Sequence, residues 1–185
     1  MAEGERRPKF DPLELSPEER WKKAKEICYD LLAVRPRSQD ELRQTLRRKG
    51  FDDETTETLL GKLDKAGLVD DAAFAEEWVR ARHTYKGLSR SALVLELKRK
   101  GVDSEIAVQA ASEVDKESEE ARARELVRKK LRSLGAGVDE QTAIRRLLGM
   151  LGRKGYPQGL SYAVIREELR EFGAESTFLD DALND

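Results

Sequence analysis

The chain holds one histidine, one cysteine and several acidic pairs, the residue types from which a catalytic or metal centre would be built. None of them falls in a pattern that chemistry requires. His83 has no second histidine to share a metal or a triad with, and it lies in a predicted loop, so it reads as a surface residue. Cys28 stands between Ile27 and Tyr29 on an apolar helical stripe, which predicts a buried thiol rather than a nucleophile. A lone cysteine also makes no internal disulfide. Asp52-Asp53 and Asp70-Asp71 precede predicted helices, where N-capping accounts for them. Asp180-Asp181 falls in an acidic end, where solvation suffices. No G-x-x-x-x-G-K-[ST] phosphate loop and no G-x-G-x-x-G turn occurs. The expectation is a non-enzyme without metal or cofactor.

The chemistry that does recur is cationic. LRQTLRRKGF (42–51), LVLELKRKGV (93–102) and LLGMLGRKGY (147–156) share L-x-x-x-L-x-R-K-G followed by an apolar residue. The two leucines, four apart, share one helix face. The glycine takes the left-handed conformation that ends a helix, and Phe51, Val102 or Tyr156 folds back onto it. One cation would satisfy the helix dipole, yet each block carries at least two. Arg47, Arg48 and Lys49, then Lys98, Arg99 and Lys100, then Arg153 and Lys154 are therefore candidate contacts for a partner.

Charge is distributed unevenly behind a net charge of −2. Residues 80–101 hold seven cations and one acid, which adds Arg80, Arg82, Lys86 and Arg90 to the candidates. Residues 122–154 hold ten cations and three acids, and residues 167–185 seven acids and one cation. Such a basic middle suits a polyanion or an acidic protein surface, although a solvated helix face has the same composition. The segment His83-Thr84-Tyr85-Lys86-Gly87 mixes aromatic and basic residues and reads as a loop between helices.

These residues must be carried by helices. Ser16-Pro17-Glu18-Glu19 and Ser38…Glu41 are capping boxes. Trp21, Ala24, Ile27, Cys28, Leu31 and Leu32 follow at helical spacing, and Pro36 stops that helix. Leu59, Leu60 and Leu63 stripe a third helix that ends at Gly67. Phe74 and Trp78, at i and i+4, read as core residues. No β-branched run alternates at period two, so the fold is all-α, with about nine helices and a short tenth at the end. Three helices per repeat give three tandem units: a flexible tail over 1–15, repeats over 16–69, 70–116 and 117–173, and an acidic tail over 174–185.

Length and composition agree. At 185 residues with 39% charged side chains, the chain cannot bury one large core, and its cancelling charges set it apart from disordered sequences. No run of about 18 apolar residues exists, and the N-terminus resembles no targeting signal, so a cytoplasmic protein is expected.

One stretch points further. Gly67-Leu68-Val69-Asp70-Asp71-Ala72-Ala73-Phe74-Ala75-Glu76-Glu77-Trp78-Val79-Arg80-Ala81-Arg82 continues through Lys86-Gly87-Leu88-Ser89-Arg90 into Glu96-Leu97-Lys98-Arg99-Lys100-Gly101. It resembles the central signature of the RecX family, bacterial regulators of the RecA recombinase, and RPRSQDELRQTLRRKGF resembles that family's opening. The resemblance covers about residues 20–173. It implies an elongated, curved array of three-helix repeats; a monomer is expected. It also implies binding to RecA and to its filament on single-stranded DNA. The implied effect is inhibition of recombinase, ATPase and co-protease activity, and so regulation of DNA repair and the SOS response. The alternatives from the residues alone are a helical protein that binds DNA directly, or a scaffold for another acidic partner.

Overall fold

The structure, a computed structural model, describes residues 11–134 and 138–183, with side chains through Gly173. Among these residues it contains nine α-helices and no strand: α1 (Pro17–Val34), α2 (Gln39–Arg48), α3 (Asp53–Lys65), α4 (Asp71–Ala81), α5 (Arg90–Arg99), α6 (Ser104–Ala111), α7 (Lys116–Leu134), α8 (Glu140–Arg153) and α9 (Gln158–Leu183). Both capping boxes form, Ser16 with Glu19 and Ser38 with Glu41. Asp52 caps α3 through the Thr55 amide, and Asp70 caps α4 through the amides of Ala72 and Ala73. Asp71 does different work: it accepts the Gln39 amide at 2.8 Å, and its burial raises its pKa.

All three R-K-G turns close alike. The amide after each glycine returns to the carbonyl five residues back: Phe51 to Leu46, Val102 to Leu97 and Tyr156 to Leu151. That is the Schellman closure, and it buries all three apolar residues. α8 runs unbroken through Gly149 and Gly152.

The chain packs as two compact units. Among the described residues, one gathers the chain up to Glu77 with Leu97–Ala107, and the other gathers Trp78–Glu96 with the chain from Val108. The first has a core of Ala24, Cys28, Leu42, Leu46, Phe51, Leu59, Leu60, Leu63 and Val69. Cys28 is fully buried there, and that burial pushes its thiol up to about 11, which leaves it unreactive as a nucleophile. The second core is built from Ala123, Val127, Leu131, Leu147, Leu151, Tyr156, Val164 and Ile165. The boundary falls within α4, α5 and α6, so the helices of the middle repeat are divided between the two units.

Three local expectations are corrected. Residues 11–15, grouped with the tail by composition, are docked: Pro12–Glu14 forms a 3-10 turn with Pro12 buried. The Arg20 guanidinium fastens it, donating to the carbonyls of Pro12, Leu13 and Leu15 while pairing with Asp52 at 3.1 Å. Residues 1–10 of that tail lie outside the described residues. The expected loop at 83–87 is a π-helical turn, Arg82–Lys86, continuing α4. No Gly or Pro precedes Gly87 in that stretch, so helical hydrogen bonding persists, widened by one residue. The backbone of α9 continues to Leu183 through the segment read as an acidic tail with a short tenth helix. Side chains from 174 onward lie outside the described residues.

Candidate interaction surface

In the first unit, the Arg99-Lys100-Gly101 turn sits on the first turn of α2. The Ser38 hydroxyl donates to the Lys100 carbonyl at 2.6 Å, and the Lys100 ammonium reaches Glu41 at 2.8 Å. The capping-box pair of α2 is thus used a second time, on a segment about sixty residues away. Gly101 is required by this approach: its φ is +73°, and a Cβ there would lie 2.2 Å from Asp40 Cβ. Arg35 forks onto Glu41 with two bonds of 3.0 Å. Burial works to raise the Glu41 pKa, but the bonds from Arg35 and Lys100 outweigh it and hold the carboxyl at about 2. Beside this pair lies a cleft of about 390 Å³ lined by Arg37, Gln44, Arg48 and Arg99. Arg48 donates to Thr45 at 3.3 Å, and Arg99 is exposed. Among the described residues neither is in an ion pair. Arg37 was not singled out from sequence, because its neighbour Pro36 carried the signal there. Its buried Nε has no hydrogen-bond partner among the described residues.

In the second unit, the Arg153-Lys154-Gly155 turn sits on the start of α5. The Ser89 amide donates to the Lys154 carbonyl at 3.0 Å, and a Cβ on Gly155 would meet Ala92 Cβ and Ser89 Oγ at 2.7 Å. Among the described residues no carboxylate pairs with the lysine here. The Lys154 ammonium donates to the Lys86 carbonyl, and its pKa is lowered by burial and then by the neighbouring charges of Arg122 and Lys86. Arg122, another residue the sequence did not single out, donates to the Thr84 carbonyl and pairs with Glu125. The basic stretch 122–154 flagged its neighbourhood; only the fold places it on the turn.

The remaining candidates spread over the surface. Arg47 pairs with Asp53 at 2.9 Å, and Lys49 closes α2, half-buried. Arg82 stacks on the Trp78 ring, 4.2 Å from its centroid, and lies 3.5 Å from Glu96. Trp78, expected in the core, is half-buried and donates its indole N–H to Glu96 at 2.9 Å. Its polar edge therefore faces a partner while Phe74 is buried. Arg80, Lys86, Lys98 and Arg153 are exposed and Arg90 is half-buried; none of these is in an ion pair among the described residues. The Arg90 amide donates to Glu119 at 2.8 Å.

Part of the basic stretch 122–154 is neutralised internally. Arg124 pairs with Glu120, Glu167 and Glu168, and Arg128 with Glu168 and Glu171. Glu168 is buried between them. Among the described residues no cluster of three His, Cys, Asp or Glu side chains is arranged to hold a metal. No described helix is long and apolar enough to cross a membrane.

Three family models match along the chain: the first three-helix domain of RecX over residues 24–63, the second over 70–110 and the third over 117–165. A regulatory protein RecX of Amycolatopsis mediterranei is 75% identical over 174 residues, covering 94% of this chain and 99% of that protein. That of Thermobifida fusca is 42% identical over 163 residues, covering 88% of each. The crystal structure of RecX from Lactobacillus salivarius superposes with a TM-score of 0.71 at 20% identity, over 80% of this chain and 96% of that one, which is a likeness of fold. With three helical repeats, an R-K-G turn after the second helix of each and relatives named as regulators, the chain belongs to the RecX family of regulatory proteins.

Proposed function

We propose that this chain is a non-enzymatic regulator that binds the RecA recombinase and its filament on single-stranded DNA. It lowers RecA's ATPase, recombinase and co-protease activities and so restrains DNA repair and the SOS response. The setting is the cytoplasm. The observation that carries this reading is the match to all three RecX domains, joined to cations that are in no ion pair among the described residues: Arg80, Lys86, Arg90, Lys98, Arg99 and Arg153. Repeat proteins offer many shallow contacts along one surface and need no catalytic set.

The test is a titration into the cognate RecA on single-stranded DNA. ATP hydrolysis falls at or below equimolar amounts; a flat titration removes the proposal. A second reading, direct binding to DNA, is supported by the same cations. Affinity for single strands without RecA then falls with salt at a slope of about −0.7 per neutralised phosphate. Strong binding to RecA alone beside weak binding to DNA excludes it.

A further inference from the structure

The π-helical turn Arg82–Lys86 is held by side chains from elsewhere in the chain. A widened turn leaves carbonyls without regular helical partners, and an orphaned carbonyl must be satisfied elsewhere. Two carbonyls of the turn and two just after it are met by side chains here. Arg122 donates to Thr84 O, Lys154 donates to Lys86 O, Tyr156 donates its hydroxyl to Gly87 O at 3.1 Å, and His83 Nδ1 lies 2.9 Å from Leu88 O. Three of these partners come from parts of the chain beyond residue 120. In the middle of this clamped turn stands Tyr85, 82% exposed. Tyr156, which helps to hold the turn, is itself buried, so the fold uses one tyrosine and leaves the other outside.

Cations hold the backbone on either side of Tyr85. Lys86 is exposed beside it, and Arg122 and Lys154 anchor its flanking carbonyls. The three crowd one another enough to depress the Lys154 ammonium after burial has done so. An arriving carboxylate relieves such crowding.

We propose that Tyr85 is the anchor by which the chain seats on its protein partner. Its ring enters an apolar pocket whose rim carries carboxylates, and the exposed Lys86 faces that rim. The inference rests on the proposed function and names the residue that does the binding. Tyrosine is enriched among the few residues that dominate interfaces, because its ring buries much area at little entropic cost. A preformed turn lowers the ordering cost further. A nucleic-acid strand is the poorer fit. Sequence-tolerant strand binding stacks successive bases on several rings, and the nearby Trp78 ring is already covered by Arg82. Arg122 and Lys154 also spend donors on backbone carbonyls rather than on a phosphate track.

The experiment compares the full-length chain with Tyr85→Ala and Tyr85→Phe in RecA binding, RecA ATPase inhibition and RecA-free binding to single-stranded DNA. Tyr85→Ala should raise the concentration for half-inhibition by roughly thirtyfold, as loss of a dominant contact does. Tyr85→Phe, which keeps the ring, should stay within about threefold. Melting temperatures should be equal, since the side chain is exposed. Unchanged inhibition by Tyr85→Ala overturns the anchor while leaving the proposed function standing. A loss confined to DNA binding also overturns it, in favour of a nucleic-acid contact. No inhibition by the unmodified chain overturns both.

Discussion

The turns at Gly101 and Gly155 share a motif and a geometry, yet they treat their lysines in opposite ways. In each, the R-K-G turn lies on the start of a helix in the preceding repeat, with a serine bonded to the lysine carbonyl. In each, a left-handed glycine lets two backbones meet where a Cβ would collide. At Gly101 the lysine ammonium finds Glu41, which Arg35 also grips. At Gly155 the ammonium finds a carbonyl and two other cations. At Gly101 and Gly155 the motif therefore forms a joint between repeats, whereas Gly50 faces Pro12. The charge balance of each joint is set by whatever the neighbouring repeat supplies, and the two joints depend on pH in different ways.

The glycines themselves give the largest test. Gly101→Ala combines a left-handed backbone with a 2.2 Å clash against Asp40, and should cost about 3 kcal/mol or more. Gly155→Ala, at 2.7 Å, should cost somewhat less. Gly67 has a φ of +68° but nothing within 4 Å, so Gly67→Ala isolates the backbone cost of about 1–2 kcal/mol. Urea unfolding measures all three. Equal losses would mean that the joints are no tighter than an ordinary helix end.

The next effect is acid sensitivity at the first joint. Glu41 is held at about 2 against a usual 4.5, so its contribution is complete above about pH 4.5 and is lost as pH falls toward 2. Its side chain is only 18% exposed, and the contribution is on the order of 3 kcal/mol. The stability difference between wild type and Glu41→Gln should shrink across that window. A difference that stays constant would show that the carboxylate's charge is not what joins the repeats.

The smallest effect lies at the second joint and has the opposite sense. The lowered pKa of Lys154 means that the folded state disfavours its charged form, so stability rises as pH climbs through that lowered value toward 10.5. Tyr156, pushed up to about 12 by its burial, works the other way above pH 10. The gain therefore belongs to the region below pH 10. Lys154→Met should abolish it in chemical unfolding followed against pH, and persistence of the rise would assign it to another group.

Much of the fold was legible because its signals are local. Ser16, Ser38 and Asp52 cap helices by bonding amides three residues on, and Phe51, Val102 and Tyr156 close turns within six residues. The loop expected at 83–87 failed for a local reason too, since no breaker interrupts α4 before Gly87. The candidate surface was only partly legible. Twelve cations were named by spacing and charge runs, but composition could not separate Arg99, exposed beside a cleft, from Lys100, bound to Glu41. It could not give Arg37, Arg122 or the exposure of Tyr85 either, because each depends on residues far along the chain.

By itself the sequence determined most of the helices, the three-helix repeats and the family, since capping, periodicity and the R-K-G turn act over a few residues; the turn at 82–86 and the full length of α9 were not among them. Only the tertiary structure decided which charges remain for a partner. Arg124 and Arg128 are answered by Glu167, Glu168 and Glu171 forty or more residues away, and Lys100 by Glu41 fifty-nine residues back. A charge is spent or left free according to what packing brings within about 4 Å of it, and no count along the chain contains that distance.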